Sequence, residues 1–242
     1  MAGHSKWKNI AHRKEKTDAQ RAKIFTKLSR EIIVAVREGG SDPAANGRLK
    51  DCIAKARQSN VPSDNIKRVI ERAAGGGGGE QYESVQYEGY GPGGTAVIVE
   101  AMTDNRNRTA GEVRHYFDKF GGNLGTAGCV SWFFDQKGIL AVDAEGRDED
   151  SLMMLALDAG ASDFTAEDGV FEIVTEPGAF PAVRDALEGE GIAFLSAQVE
   201  KAPRNGVSLN GEEDVKKMRR LLDALEDNDD VQNVWHNWEN EE

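Results

Sequence analysis

Apolar residues recur at helical spacing through the first third of the chain. Thr17 and Gln20 form a capping box, and the segment after them carries an apolar stripe and ends at Gly39-Gly40. The stripe consists of Phe25, Leu28, Ile32 and Val36. This pattern predicts a long first helix with cations on another of its faces.

Two shorter amphipathic segments follow. The first runs from about Gly47 to Ser59, with Asp42 or Asn46 as its cap, and Ser63 caps the second. Their inward positions are Leu49, Ile53 and Ala56, and then Ile66, Val69, Ile70 and Ala73. Because three short amphipathic helices can close one small core, the sequence predicts an N-terminal three-helix bundle.

Residues 75–79 are five consecutive glycines. Glycine loses the most backbone entropy on ordering, so no regular element is expected to continue through such a run. We interpret the run as a hinge between domains. A long loop within one domain is the alternative.

Beyond the glycines the spacing changes to that of strands. Residues 82–90 and 95–102 flank the turn residues Gly91-Pro92-Gly93-Gly94, which predicts a hairpin. Thr109 and Glu112 form a capping box for the next helix, and the pattern at 129–134 predicts a further strand.

Residues 138–200 follow the order β-α-β-β-α-β, which is that of a ferredoxin-like unit. A helix at 212–226 and a strand at 231–236 remain, and they cannot form a domain by themselves. We therefore predict an α+β multidomain fold in which they complete the earlier ββαβ segment and the ferredoxin-like unit is an insertion. The predicted divisions are 1–74 for the basic arm and bundle, 75–79 for the hinge, 80–136 with 204–242 for a discontinuous α+β domain, and 137–203 for the insertion.

Composition excludes several classes of protein. The 242 residues contain no apolar stretch of about 18, so we expect no membrane span and no membrane partner. The first 16 residues are polar and basic, which is not the pattern of a secretory signal. Cys52 and Cys129 cannot build a disulfide framework, which is typical of a cytoplasmic protein.

The formal net charge of −12 conceals a strong asymmetry. Residues 1–72 hold 17 Lys and Arg against 8 Asp and Glu, whereas residues 73–242 hold 13 against 34. The two parts therefore carry +9 and −21. Such a division indicates a basic module attached to an acidic body.

Common catalytic motifs are missing from the sequence. It has no GxxxxGK[ST] loop, no GxGxxG between a strand and a helix, no HExxH and no GxSxG. Its four histidines are scattered, and neither cysteine has a CxxC partner. We expect no enzymatic activity, no catalytic residue, no metal, no cofactor and no small-molecule substrate.

Cations at the N-terminus are interleaved with rings that can stack on bases or sugars. The candidate nucleic-acid-binding residues are Lys6, Trp7, Lys8, His12, Arg13, Lys14, Lys16, Arg21, Lys23, Lys27 and Arg30. Residues 1–16 lack an apolar stripe, so we expect an arm that orders on a polyanion. The alternative is a basic tail that docks on the protein's own acidic body. A tryptophan between two lysines favours the arm.

A second candidate site precedes the helix after the hairpin. Asn105, Arg106, Asn107 and Arg108 combine two guanidinium groups and two amides with the free N–H groups of a helix N-terminus. Recognition of phosphate or carboxylate is one interpretation. A helix cap whose arginines pair with nearby acids is the other.

Six segments between residues 2 and 125 carry most clearly a family resemblance that runs from end to end of the chain. They are AGHSKW at 2–7, KIFTK at 23–27, residues 40–49, YEGYGPGGT at 87–95, residues 104–109 and GGNLG at 121–125. In these the chain resembles the YebC/PmpR family, whose mitochondrial members include the translational activator of cytochrome c oxidase. It departs from relatives at Gly47, where they often carry proline. The resemblance implies a helical bundle and two α+β domains, one ferredoxin-like and inserted in the other. It also implies a cytoplasmic location without enzymatic activity or metal.

The resemblance to this family implies two possible functions. The residues to which it assigns the functional role are the GHSKW arm, the bundle cations and the 105–108 loop. Its members are generally described as DNA-binding transcriptional regulators, and some as translation factors that act at the ribosome, including on stalled proline-rich synthesis. We expect a monomeric, DNA-binding transcriptional regulator, with a ribosome-associated factor that binds ribosomal RNA as the alternative. No helix shows the Asn/Arg/Gln cluster of major-groove readout, whereas a basic arm with an aromatic ring suits folded RNA.

Overall fold

The computed structural model describes residues 18–75, 81–167 and 169–240, with side chains from residue 22 onward. These residues form two compact units. The first contains the chain up to Phe133 together with the residues from Pro203 onward, and the second is Phe134–Ala202. The predicted residues 1–17, most of the glycine run and Asp168 lie outside the described residues.

Three helices open the first unit: α1 (Asp18–Gly39), α2 (Gly47–Gln58) and α3 (Ser63–Ala74). One apolar core joins them, because most of the predicted positions at helical spacing turn inward; the exception is Phe25, in whose place Ile24 packs against the core. Its buried members include Leu28, Ile32, Leu49, Ile53, Ala56 and Ile66. The three-helix bundle is confirmed.

The cap of α2 is Asn46, one of the two predicted residues. Its side-chain oxygen accepts from the Leu49 amide at 3.0 Å, and its Nδ2 donates to the carbonyl oxygens of Ala35 and Gly40 at 2.7 and 2.8 Å. The predicted cap at Ser63 is wrong, because Ser63 is already helical and Pro62 stands at the cap position without a side-chain bond.

The rest of the first unit is a four-stranded sheet with two helices. Its elements are β1 (Glu83–Tyr90), β2 (Ala96–Thr103), α4 (Arg106–Lys119), β3 (Asn123–Leu124), α7 (Glu212–Asp227) and β8 (Val231–His236). The strand order is β3-β1-β2-β8. Val97, Val99, Phe117, Met218 and Leu225 are fully buried between sheet and helices. The predicted completion of the ββαβ segment by the last helix and strand is confirmed.

The predicted hairpin is also confirmed. A short 3-10 turn at Pro92–Gly94 joins β1 to β2, and Gly93 and Gly94 have φ values of 66° and 78°. Residues with side chains rarely adopt this backbone conformation, so glycine is required at both positions.

The strand predicted at 129–134 is wrong. Ser131–Phe133 form a 3-10 turn, and the third strand of the sheet is instead Asn123–Leu124, which pairs with β1. The Glu88 carboxylate accepts from the amides of Val130 and Ser131 at 3.0 and 2.9 Å. Those amides are therefore not free to join a sheet ladder.

The second unit has the elements β4 (Phe134–Asp143), α5 (Glu149–Asp158), β5 (Asp163–Glu167), β6 (Val170–Thr175), α6 (Phe180–Gly189) and β7 (Phe194–Pro203). Its strand order is β5-β6-β4-β7, which is the ferredoxin-like arrangement. Leu140, Ile173, Val183 and Leu187 are fully buried between sheet and helices. The predicted α+β fold with a ferredoxin-like insertion is confirmed.

Candidate nucleic-acid interface

A buried carboxylate, that of Asp230, lies where the chain passes from α7 to β8. Only 4% of the residue is exposed. Four side chains donate hydrogen bonds to it. They are Arg30 at 2.7 Å, Arg108 at 2.6 Å, Thr109 at 2.7 Å and Thr103 at 3.2 Å. The carboxylate thus connects the bundle to both ends of the β2–α4 connection.

The donors around Asp230 keep its carboxylate ionised. Burial by itself raises the pKa of Asp230, but the bonds from Arg108, Thr109 and Arg30 outweigh it and lower the pKa below its ordinary value. The pKa of Arg108 is raised in return by its bonds to Asp230 and Asp104. A charged cluster with several hydrogen bonds to one carboxylate stabilises one arrangement of its elements.

Lys23, Lys27 and Arg30 lie at positions i, i+4 and i+7 of α1 and therefore share one face. This face meets the acidic segment, which we define as residues 226–230. Lys23 Nζ is 2.9 Å from the Asp227 carboxylate and 3.3 Å from the Asp227 carbonyl oxygen. Lys27 Nζ donates to the Glu226 carbonyl oxygen at 2.7 Å.

The lysines of α1 cap another helix. The last carbonyl groups of a helix have no partner within it, and α7 carries no basic residue in its own last turn. Lys23 and Lys27 supply that positive charge from outside. Arg30 extends the contact by donating to the Asp229 carbonyl oxygen at 2.6 Å, and its guanidinium lies 5.1 Å from the centre of the Tyr82 ring.

The 105–108 loop is the N-terminus of α4. Asn105 is the cap, and its side chain accepts from the Arg108 amide at 3.1 Å. The predicted capping box is wrong, because the helix begins before Thr109 and the Thr109 hydroxyl donates to Asp230 instead. Arg108 pairs with Asp104 and Arg106 with Glu83, at 2.8 and 3.5 Å.

The structure therefore shows the second of the two arrangements considered for this loop, a cap with paired arginines. Both guanidinium groups stay accessible, with 64% of the Arg106 side chain and 42% of the Arg108 side chain exposed. Asn107 is exposed beside them. Contact between this loop and nucleic acid stays a prediction.

The remaining predicted residues fall outside this description. Seven belong to the undescribed N-terminal residues, and Arg21 lies in α1 without a described side chain. The seven are Lys6, Trp7, Lys8, His12, Arg13, Lys14 and Lys16. Of the predicted cations, the structure brings together Lys23, Lys27, Arg30 and Arg108 around the acidic segment.

Five exposed cations of the bundle were not among the predicted residues. Among the described residues none of the five forms an ion pair, which distinguishes them from the cations of α1. They are Lys50 and Arg57 on α2, and Lys67, Arg68 and Arg72 on α3. The signal was present in the sequence, since each lies off the apolar stripe of its helix.

An aromatic side chain is exposed near the end of β1. Trp132 is 60% exposed, and its ring stacks on Phe133 with 3.6 Å between ring centres. Hydrogen bonds to Glu88 hold the backbone turn beneath it. Burial raises the pKa of Glu88, but bonds from Ser131, from nearby amides and from Gln86 lower it to about 2.

Helices able to span a membrane and clusters able to hold a metal are both absent from the described residues. No helix in that part of the chain is long and apolar enough to cross a membrane. No group of three or more His, Cys, Asp or Glu side chains is placed there to hold a metal ion.

Comparison with known proteins identifies relatives along the whole chain. Residues 5–76 match the model of the TACO1/YebC protein N-terminal domain, and residues 82–238 match that of the TACO1/YebC second and third domain. A probable transcriptional regulatory protein of Acetivibrio thermocellus is 59% identical over 239 residues, which cover 98% of this chain and 99% of that protein. One of Caldicellulosiruptor bescii is 58% identical over 243 residues and the full length of both.

A solved structure shares the fold. The crystal structure of a conserved hypothetical protein from Aquifex aeolicus has a TM-score of 0.86 and 49% sequence identity, and the match covers 95% of each chain. With both family models matched in order, and with relatives of this identity over the full length, the chain belongs to the TACO1/YebC family.

Proposed function

We propose that this protein is a non-enzymatic, nucleic-acid-binding regulator of gene expression, and specifically a DNA-binding transcriptional regulator of the YebC type. It acts in the cytoplasm as a monomer. The names of its relatives, probable transcriptional regulatory proteins, support regulation of transcription. The observation that carries nucleic-acid binding is the set of five exposed bundle cations without an ion pair.

The proposed interface combines three groups of residues. Exposed cations of α2 and α3 neutralise backbone phosphates, which gives affinity without reading sequence. The arm adds further cations, and Trp7 and His12 stack on bases or sugars. Arg106, Arg108, Asn105 and Asn107 form a separate contact that contributes to activity more than to bulk affinity.

The acidic remainder of the chain fits this interpretation. Residues 73–242 carry −21, and a body of that charge is repelled by nucleic acid. This repulsion suppresses nonspecific adhesion of the body, so affinity comes mainly from the basic module and contact of the body is limited to the 105–108 loop.

The triple variant Lys67→Ala, Arg68→Ala and Arg72→Ala tests the bundle surface. All three side chains are exposed on α3, and alanine is the best helix former, so we expect the fold to persist. Affinity for duplex DNA should fall. The slope of log affinity against log salt should shrink by up to about 2.7, because each phosphate contact contributes about 0.9.

The matched control removes three exposed cations from the sheet helices, by Arg114→Ala, Lys216→Ala and Arg220→Ala. It makes the same change in net charge. If the two triple variants lose affinity equally, only net charge matters and the bundle surface is not the interface. Fluorescence anisotropy with a labelled duplex at several salt concentrations measures both quantities.

The arm has its own test, in which Lys6, Lys8, Arg13 and Lys14 are replaced by alanine. We expect a steep loss of affinity, because four phosphate contacts and their released counterions disappear together. Unchanged binding of the arm variant to both DNA and ribosomes would remove the arm from the interface.

Replacing Arg106 and Arg108 should leave bulk affinity nearly intact and impair regulation.

One observation favours the alternative, a ribosome-associated factor that binds ribosomal RNA. Trp132 presents an exposed ring, and sequence-specific RNA recognition relies on stacking of unpaired bases on such rings. Crosslinking in cells followed by sequencing of the bound nucleic acid decides between the two. Promoter DNA in the recovered material supports the transcriptional regulator, and large-subunit ribosomal RNA supports the alternative.

A further inference from the structure

The cation face of α1 is occupied by the protein's own acidic segment. We propose that Lys23 and Lys27 form a binding site for the nucleic-acid backbone, and that residues 226–230 cover this site in the structure. When nucleic acid binds, its backbone replaces the acidic segment on the two lysines. This inference rests on the proposed function and adds to it a masked site and its regulation.

The acceptors that Lys23 and Lys27 contact resemble those of a phosphodiester. The two ammonium groups bind one carboxylate oxygen and two carbonyl oxygens at 2.7 to 3.3 Å. Lysine binds phosphate as a point charge, without a fixed geometry. A phosphate group can therefore replace these oxygens without any rearrangement of α1.

The contact between α1 and the acidic segment is graded from exposed to buried. At the outer end, 41% of the Lys23 side chain and 77% of the Asp227 side chain are exposed. At the inner end, the corresponding fractions are 15% for Arg30 and 5% for Asp230. Exposed ion pairs are weak because water and salt screen them. The outer half can open while the Arg30–Asp230 pair remains closed.

Lys27 is unfavourably placed in the closed arrangement. Burial lowers the pKa of Lys27, although Glu226, Asp229 and Asp227 oppose that effect. Its hydrogen bond goes to a neutral carbonyl oxygen and not to a carboxylate. A phosphate would give this ammonium a full counter-charge, so exchange improves its environment.

A polar cleft lies beside this contact. It has a volume of about 330 Å³ and lies between the bundle and the sheet, with Glu31, Lys55, Glu100 and Gln232 in its walls. Arg30 Nε and both side-chain polar atoms of Gln232 are buried without a hydrogen-bond partner among the described residues. Buried polar groups without partners carry a free-energy cost, which weakens the packing of the bundle against the sheet beside this contact.

The test neutralises the outer acids while keeping their shape, with Asp227→Asn and Asp229→Asn in the full-length protein. The control, Asp118→Asn with Glu212→Gln, changes the net charge equally at exposed sites on α4 and α7. Long-range attraction of nucleic acid rises equally in both. We expect the first variant to bind a labelled DNA duplex about two- to fivefold more tightly than the control, because only it removes the carboxylate bonded to Lys23 and two negative charges beside Lys27.

Lysine acylation followed by mass spectrometry gives the second measurement. Lys23 and Lys27 should react faster in the Asp227→Asn, Asp229→Asn variant than in the wild type, and the duplex should protect them. Equal affinity of variant and control, or no protection by a bound duplex, overturns the masked site while the proposed function stands. Absence of nucleic-acid binding by the wild type and by both variants would instead overturn the proposed function.

Discussion

Replacing Asp230 by alanine is expected to lower the free energy of unfolding of the first unit by about 3–5 kcal/mol, the usual cost of breaking a buried ion pair from one side. The variant leaves Arg30 and Arg108 without the carboxylate that accepts their hydrogen bonds. It also removes the acceptor of the Thr109 and Thr103 hydroxyl groups, whose residues are fully buried. Urea titration followed by tryptophan fluorescence measures the loss, because Trp235 and Trp238 lie in this unit.

The neighbouring Asp229 provides the matched control. It has the same charge and an exposed side chain, so Asp229→Ala should change stability by no more than about 0.5 kcal/mol. Asp230→Asn should fall between the two, since an amide oxygen still accepts hydrogen bonds but carries no charge. A loss below about 1 kcal/mol for Asp230→Ala would show that the cluster does not hold the bundle to the sheet.

Local periodicity was enough to predict most of the fold. The apolar positions of α1 to α3 repeat at the helical period, and the residues around Gly93 permit few alternatives to a turn. The β-α-β-β-α-β order of the second unit follows from element types alone. These features depend on residues close together in sequence, so one sequence contains the information.

The Asp230 cluster could not be predicted in this way. Its members come from α1, the end of β2, the start of α4 and the start of β8, and nothing local indicates that they meet. In the sequence Asp230 is one of several acids near a helix end, where exposure is the ordinary expectation. Thr109 fitted a capping box because that motif asks only for spacing, and Asn105 was already placed to cap the helix.

The structure also refines the meaning of the charge division. The +9 of residues 1–72 predicts a basic surface, yet Lys23, Lys27 and Arg30 direct their charge toward the acidic segment. Three cations of α1 thus contact the acidic segment, whereas five exposed cations of α2 and α3 form no ion pair among the described residues. The two interpretations of residues 1–16 concern a segment outside the described residues and stay predictions.

The second unit is expected to lose stability as the pH rises from about 4.5 to about 7, because of Glu172. This residue lies on the central strand β6, opposite Ala141 on β4 and Thr165 on β5. Its neighbours Phe171 and Ile173 face the helices, so Glu172 lies on the other face of the sheet. Burial, together with the negative charges of Glu200, Asp163 and Glu167, raises the pKa of Glu172 to about 7.

The sign of the effect follows from the direction of that shift. The folded state holds the Glu172 proton more tightly than the unfolded state, whose pKa is near 4.5. Stability from this group is therefore fully present below pH 4.5 and is lost as the pH rises to about 7. A shift of this size corresponds to about 3 kcal/mol, since each pKa unit is worth 1.36 kcal/mol.

Glu172→Gln should accordingly stabilise the second unit by about 3 kcal/mol at pH 8 and by less than about 0.5 kcal/mol at pH 4.5. The control Glu145→Gln removes an exposed carboxylate and should show no such pH dependence. All four tryptophans and all four tyrosines lie outside residues 134–202, so fluorescence does not report on this unit. The stability of this unit is measured instead by amide hydrogen exchange of β6 at the two pH values. Equal exchange of wild type and Glu172→Gln at pH 8 would mean that the Glu172 carboxylate ionises at its ordinary pKa, with water reaching the sheet face on which it lies.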